Sequence, residues 1–323
     1  MKRYFAAAAI AVSLAALLAA PSHAQQYPSK PVNLVVPYSP GGAGDTAARK
    51  MADALSKRMG QPVVILNQAG VDGVIGATAV SRAVPDGYTL LAGDPGPINF
   101  APLMRPGISY DPLKDFTLIA EYLYVPLIIV ANPNTPFKTI KEMIAYAKAN
   151  PGKVRIGYGS SLLQTGAELL KQRAGIDMLS VPYKAGAPSV QDTVAGHIDV
   201  VVTSTGPVSQ LLAAGRLRPL AILGRNRISA LPEVPTMIET GFPDFKAGAW
   251  FGILGPKGMP ADVTNLLAQY ITDAAKTDEI KALAHQFGGE VGVYVRDTFA
   301  QRISAELNVI GPLIKAAGMK PSE

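Results

Sequence analysis

The chain contains no cysteine, so disulfides, thiolate nucleophiles and cysteine-held metals are excluded from the start. Histidine is nearly as scarce. Of the three in 323 residues, His23 falls in an N-terminal leader-like stretch. His197 is expected in a helix-to-strand turn and His285 on a C-terminal helix. Two isolated histidines form no metal-ligand cluster and leave no base to activate a serine; Gly159-Ser160-Ser161 also lacks the G-x-S-x-G frame. Charge is sparse at 17% of residues, and the net +6 comes from scattered lysines and arginines without a long run. A nucleic-acid stripe is therefore not indicated. After the N terminus no apolar run reaches membrane-spanning length.

The first 24 residues look like a secretory leader. Lys2 and Arg3 form a positive start, Phe5 to Ala20 is an apolar run rich in Ala and Leu, and Ser22-His23-Ala24 puts small residues at the −3 and −1 positions. Cleavage after Ala24 and export to the periplasm are expected. The full sequence is 48% hydrophobic, and what remains after the leader is long enough for two ordinary domains with cores.

The most informative stretch is Leu34-Val35-Val36-Pro37-Tyr38-Ser39-Pro40-Gly41-Gly42-Ala43-Gly44-Asp45. An apolar β-branched run passes through a Pro/Gly turn into an amphipathic segment with Ala47, Met51, Leu55 and Met59 on one face. That pattern predicts a strand over 32–36 and a helix over 46–59, with Asp45 as its N-cap. The first backbone N–H groups of a helix lack intrahelical partners and carry the positive end of its dipole. With three glycines clearing side chains away, the turn is a candidate anion site built from amides. The alternative is a tight turn that binds nothing.

Strand and helix alternate down the chain. Further strands are predicted near 63–66, 88–92, 127–130, 154–156, 178–181, 199–202, 220–223 and 250–254. Pro-rich irregular stretches separate the two series at 101–126 and again at 230–247, and three helices close the chain at 261–276, 278–286 and 296–317. Alternation implies parallel sheets covered by helices. The fold class expected is α/β, two doubly wound lobes around a hinged cleft. Residues 25–125 and 230–323 are assigned to one discontinuous lobe and 126–229 to the other. Ligands of such sheets sit beyond the carboxyl ends of the strands, so the loops at 38–45, 67–76, 93–97, 157–164 and 203–206 should face one cleft.

Gly42-Ala43-Gly44-Asp45-Thr46-Ala47 also matches G-x-G-x-x-A, but a dinucleotide site needs an acid ending the second strand, where Asn67 stands. No cofactor, metal or catalytic group is expected. What collects at the strand ends is neutral: Ser39, Ser160, Ser161, Gln164, Thr203 and Ser204. Hydroxyls around bare amides hold a carboxylate without a buried cation. Three charge-assisted bonds give about 5–9 kcal/mol, against roughly 8 kcal/mol for micromolar affinity, so both lobes would have to close on the solute.

Collinear motifs extend this reading. The 37–45 stretch, Gly60-Gln61-Pro62-Val63-Val64, Pro85-Asp86-Gly87-Tyr88-Thr89-Leu90-Leu91, Tyr110-Asp111-Pro112-Leu113-Lys114-Asp115-Phe116, Val181-Pro182-Tyr183-Lys184-Ala185-Gly186-Ala187-Pro188, Leu231-Pro232-Glu233-Val234-Pro235-Thr236 and Trp250-Phe251-Gly252 occur in order. Together they resemble the Bug-type extracytoplasmic solute receptors of tripartite tricarboxylate transporters. The resemblance implies a two-lobed, Venus-flytrap receptor, a monomer, that passes a small carboxylate, a di- or tricarboxylate or an aromatic acid, to integral-membrane subunits. It implies ligand contacts at Ser39, Pro40, Gly41, Gly42 and Asp45, and in the loop of Tyr158, Gly159, Ser160, Ser161 and Gln164. Variable contacts are expected at Tyr38, Asp94, Pro95, Thr203, Ser204 and Trp250. Two departures fall on the ligand side. Gln164 stands near the family's usual histidine, and Thr203-Ser204 replaces an Asp-Asn pair. With Tyr38, Tyr158, Leu162 and Leu163 nearby, an aromatic or longer-chain acid is favoured over a small polar one. An exported enzyme acting on a carboxylated substrate, or a receptor feeding a sensor protein, are the alternatives.

Overall fold

The structure is a computed structural model and describes residues 27–292 and 294–320. The leader and its cleavage site lie outside the described residues. Among those residues, no helix is long and apolar enough to cross a membrane.

The glycine turn sits where the hydrophobic pattern puts it. Strand β1 is Val32–Val36, and its carboxyl end leads into α1, Ala43–Met59. Strand β2 (Val63–Asn67) pairs parallel to β1 on one side and β3 (Thr89–Gly93) on the other, with α2 (Val74–Ser81) between them in sequence. Past a π-type turn at Gly96–Phe100 and the short α3 (Ala101–Met104) comes β4, Phe116–Ala131. The stretch expected to be irregular as far as 126 is thus strand from Phe116 onward. Pro126 is tolerated there because it lies opposite Gly248 near the end of one pairing.

The second series follows: α4 (Ile140–Ala149), β5 (Arg155–Tyr158), α5 (Ser161–Ala174), β6 (Leu179–Pro182), α6 (Gly186–Ala195), β7 (Val200–Ser204), α7 (Ser209–Ala213) and β8 (Arg218–Ile222). The chain returns through β9 (Gly248–Pro256) and ends with α8 (Ala261–Ala275), α9 (Asp278–Phe287), β10 (Glu290–Val291) and α10 (Asp297–Ala317). Local signals explain several boundaries. Thr139 caps α4 by accepting from Glu142 N–H, and left-handed glycines at 60, 175 and 196 stop α1, α5 and α6.

The strand order is β2-β1-β3-β9-β4-β7-β5-β6. Within each series the strands are parallel, as alternation predicted. The centre is antiparallel: β4 pairs with β9 in the first half and with β7 and β8 in the second. One strand therefore runs through both lobes. Each half carries a core on both faces of its sheet, the first with Leu34, Met51, Leu267 and Ile271 on one side and Trp250, Leu254 and Phe299 on the other. In the second half Ile129, Met143, Ile156 and Leu170 form one core, and Val130, Val201 and Ile222 the other.

The return to the first lobe comes later than residue 230. Val234, Met237, Phe245 and Ala247 still pack in the second half's cores, and Leu127 N–H donates to Ala247 O where the two crossings meet. Helix α10 belongs to both halves: Phe299 and Ile303 lie in the first core, Leu313 in the second.

Candidate functional site

The first turn of α1 is open. Ser39 through Ala43 are exposed, and a methyl group placed on Gly41 or Gly42 would meet nothing within 4 Å. Gly41 has φ +97°, which demands glycine, whereas Gly42 has φ −77° and serves as the N-cap. The free N–H groups of the first turn thus lie on an uncovered surface.

Asp45 is not the N-cap; it lies inside α1, and its buried carboxylate braces the turn from below. It accepts from Gly41 N–H at 3.0 Å, from Arg49 Nε at 2.9 Å and Nη2 at 3.0 Å, and from Asn67 Nδ2 at 2.8 Å. Its hydrogen bonds from Arg49, then those from Asn67 and Gly41, outweigh burial and hold it down at about 2. Two expectations change as a result. Asp45 is already engaged four times, and Gly41 N–H is spent on it, so the amides open to a ligand start at Gly42. Arg49 and Asn67, neither of them among the expected ligand contacts, complete the brace: Asn67 Nδ2 also donates to Tyr38 O. The Asp45/Arg49 spacing of four was the available signal.

Tyr38 and Asp94 bind each other. The phenol donates to Asp94 Oδ1 at 2.7 Å, and Gly96 N–H donates to the same oxygen at 2.8 Å. Burial pushes Asp94 up to about 6 against those two bonds. A carboxyl raised in the folded state contributes stability that is complete below its unfolded value near 4 and is lost as pH climbs through about 6. Asp94→Asn retains an acceptor for both bonds. It is expected to remove this group's contribution to stability between pH 7 and pH 4, up to about 3 kcal/mol. Urea midpoints across that window check this; an unchanged slope refutes the assignment.

The second lobe's loop is capped rather than bare. Ser160 is the N-cap of α5, its Oγ accepting from Leu163 N–H at 3.3 Å, and it is exposed. Ser161 and Gln164 are half-buried in the first turn, with Ser161 O accepting from Thr165 Oγ1. Gly159 is required by crowding, since a methyl group there would collide with the Ala185–Gly186 backbone. Tyr158 is buried in the core under α5. Thr203 is buried and Ser204 half-buried at the end of β7. Thr205, next in line, is buried, and its hydroxyl has no hydrogen-bond partner among the described residues.

Trp250 is withdrawn from the cleft. It is fully buried, packs edge-on against Phe299, and donates Nε1–H to Asn99 Oδ1 at 3.2 Å. Its place in β9, between β3 and β4, puts it in the core.

The two lobes' loops meet where Phe100, after β3, and Leu162, at the start of α5, pack with Ile314 of α10. Pro95 and Leu162 line one cavity of about 670 Å³. No group of three or more potential metal ligands occurs among the described residues.

Residues 47–319 match the model of the tripartite tricarboxylate transporter family receptor. The chain is 36% identical over 296 residues to the protein BugT of Bordetella pertussis, covering 90% of this chain and 89% of that one. Three solved structures share the architecture. A TctC solute-binding protein from Polaromonas superposes with a TM-score of 0.82 at 26% identity, covering 90% of this chain and 99% of the other. An R. palustris protein with adipate gives 0.73 at 30%, covering 91% and 99%. MatC from Rhodopseudomonas palustris with bound malate gives 0.69 at 28%, covering 89% and 100%.

Proposed function

The chain belongs to the tripartite tricarboxylate transporter receptor family, and from that premise we propose that it captures a carboxylate-bearing solute in the periplasm through backbone amides and delivers it to the membrane subunits of such a transporter. The family is one of solute-binding receptors. The amides are those of the first turn of α1 from Gly42 onward, opposed by the start of α5 at Ser160–Leu163. The lobes close about crossings at 126–127 and 247–248, with 25–125 and 248–323 on one side and 126–247 on the other, and the leader is removed after Ala24. The solutes named with the two R. palustris structures, adipate and malate, are both carboxylates.

The observation that carries this reading is the uncovered α1 turn: glycine amides on an open surface, braced from behind by an ionised Asp45. The positive end of the helix dipole then faces outward. A thermal-shift screen of mono-, di- and aromatic carboxylates tests it. Ligand at a hundred times its dissociation constant adds about 2.7 kcal/mol, a shift of several degrees. The hit should be recovered chemically unchanged. Consumption of the hit would make the protein an enzyme, and a screen in which only amines or sugars stabilise it would overturn the carboxylate assignment.

A further inference from the structure

The carboxyl end of β3 brings a buried acid beside the α1 turn. Asp94 is 7% exposed. One of its oxygens, Oδ1, is fully used, accepting from the Tyr38 hydroxyl at 2.7 Å and from Gly96 N–H at 2.8 Å. The other, Oδ2, has no hydrogen-bond partner among the described residues, yet unlike Thr205 Oγ1 it is not sealed from solvent. It is the acceptor of this carboxyl that remains for a donor from outside the fold.

Its place is set by its neighbours. Oδ2 lies 3.7 Å from where a methyl group on Gly44 would sit, and the Tyr38 ring lies 3.2 Å from the same point. Gly44 belongs to the first turn of α1. Tyr38 and Asp94 follow neighbouring parallel strands, β1 and β3. The phenol and the carboxyl therefore flank the turn whose amides are assigned to the carboxylate of the solute.

Charge decides what Oδ2 can recognise. Burial raises Asp94 to about 6, so above that pH it is ionised. An ionised carboxylate accepts and cannot donate. It repels a carbonyl oxygen or a second carboxylate brought up to it, and it takes the hydrogen of a hydroxyl or an ammonium group.

We infer that Asp94 selects the solute: the carboxylate at the α1 turn belongs to an acid with a hydrogen-bond donor, hydroxyl or ammonium, on the adjoining carbon, and Asp94 Oδ2 accepts from that donor. Tyr38 is a positioning residue, because its phenol holds Oδ1 and leaves Oδ2 towards the turn. The inference rests on the carboxylate reading above and narrows it to a class of acid. The anchoring also dictates what an isosteric change does. Both groups on Oδ1 are donors, so Asp94→Asn keeps its single oxygen there and presents Nδ2–H where Oδ2 stood.

Titration calorimetry on the mature protein in mildly alkaline buffer tests it with adipate and two series. One is glutarate, 2-hydroxyglutarate, glutamate and 2-oxoglutarate; the other is phenylpropanoate, phenyllactate, phenylalanine and phenylpyruvate. Wild type should bind the hydroxy or the amino member at least about tenfold more tightly than the unsubstituted acid, the value of one hydrogen bond to a charged group, and the oxo member most weakly. Whichever of the two donors leads identifies the group. Asp94→Asn should raise the oxo acid relative to the hydroxy acid by at least about tenfold and place the amino acid last. Tyr38→Phe, which frees Oδ1, should shrink the wild-type preference severalfold without reversing it. If the unsubstituted acids, adipate among them, bind wild type as well as the donor-bearing ones, or if folded Asp94→Asn and Tyr38→Phe keep the wild-type order and spacing, Asp94 only shapes the turn; the inference then fails and the carboxylate reading stands. If no acid binds, adipate included, the carboxylate reading falls and the inference falls with it.

Discussion

Gly42→Pro is expected to weaken binding of the best carboxylate hit by roughly ten- to a hundredfold, the value of one hydrogen bond to a charged group. The unliganded protein should melt close to wild type. Gly42 already has φ −77°, within proline's reach, and a side chain there meets nothing. The substitution therefore removes a single N–H from the start of α1 with little steric cost. Serine at the same position keeps the N–H and should bind normally, so the pair separates a lost donor from an altered turn. Calorimetric affinities within a factor of two for proline and wild type would show that the amide at 42 holds no ligand.

The second large effect is on stability. Arg302→Met should destabilise the fold by about 3–5 kcal/mol, because the buried Glu121 loses the guanidinium paired with it at 2.7 Å. Burial already pushes Glu121 above its usual range in spite of Arg302. Without the guanidinium the carboxyl is pushed higher still, and the Arg302–Glu306 contact is lost as well. Adding Glu121→Gln and Glu306→Gln to Arg302→Met should restore at least half the loss. Guanidinium midpoints measure both. A single Arg302→Met costing under 1 kcal/mol would mean that the cluster is better solvated than its burial indicates.

Much of the architecture could be read directly from the residues. β1 falls on the predicted five residues, and left-handed glycines end α1, α5 and α6, where a side chain would be strained. Where the reading failed, the cause was long-range. Asp45 resembles an N-cap by position; only the fold brings Asn67 beside it and turns it into a brace. Trp250 lies in a motif shared with the family, and nothing local reveals that its strand is central rather than marginal. The antiparallel centre was missed for a similar reason, since β9 reaches β3 and β4 from far along the chain.

The Glu121–Arg302 cluster was the least visible part. Glu121 and Arg302 are separated by more than half the chain, and no spacing rule joins them. One local sign existed. Glu121 is the single charge in the 16-residue apolar run Phe116–Ala131, and a lone carboxylate in a buried strand needs a partner from elsewhere. By contrast, the loop hydroxyls advertised themselves too freely. Ser160 turned out to cap a helix, the commoner use of such residues.

The shared strand also limits how the two halves can move against each other. Because β4 is stitched to β9 on one half and to β7 and β8 on the other, the halves cannot slide past one another without breaking the ladder. Twisting of this ribbon, and flexing of α10 near Pro312, are the inexpensive motions left. Any membrane subunit that distinguishes a full receptor from an empty one would then be reading an angle between two halves, set by torsion of the two strands that cross between them.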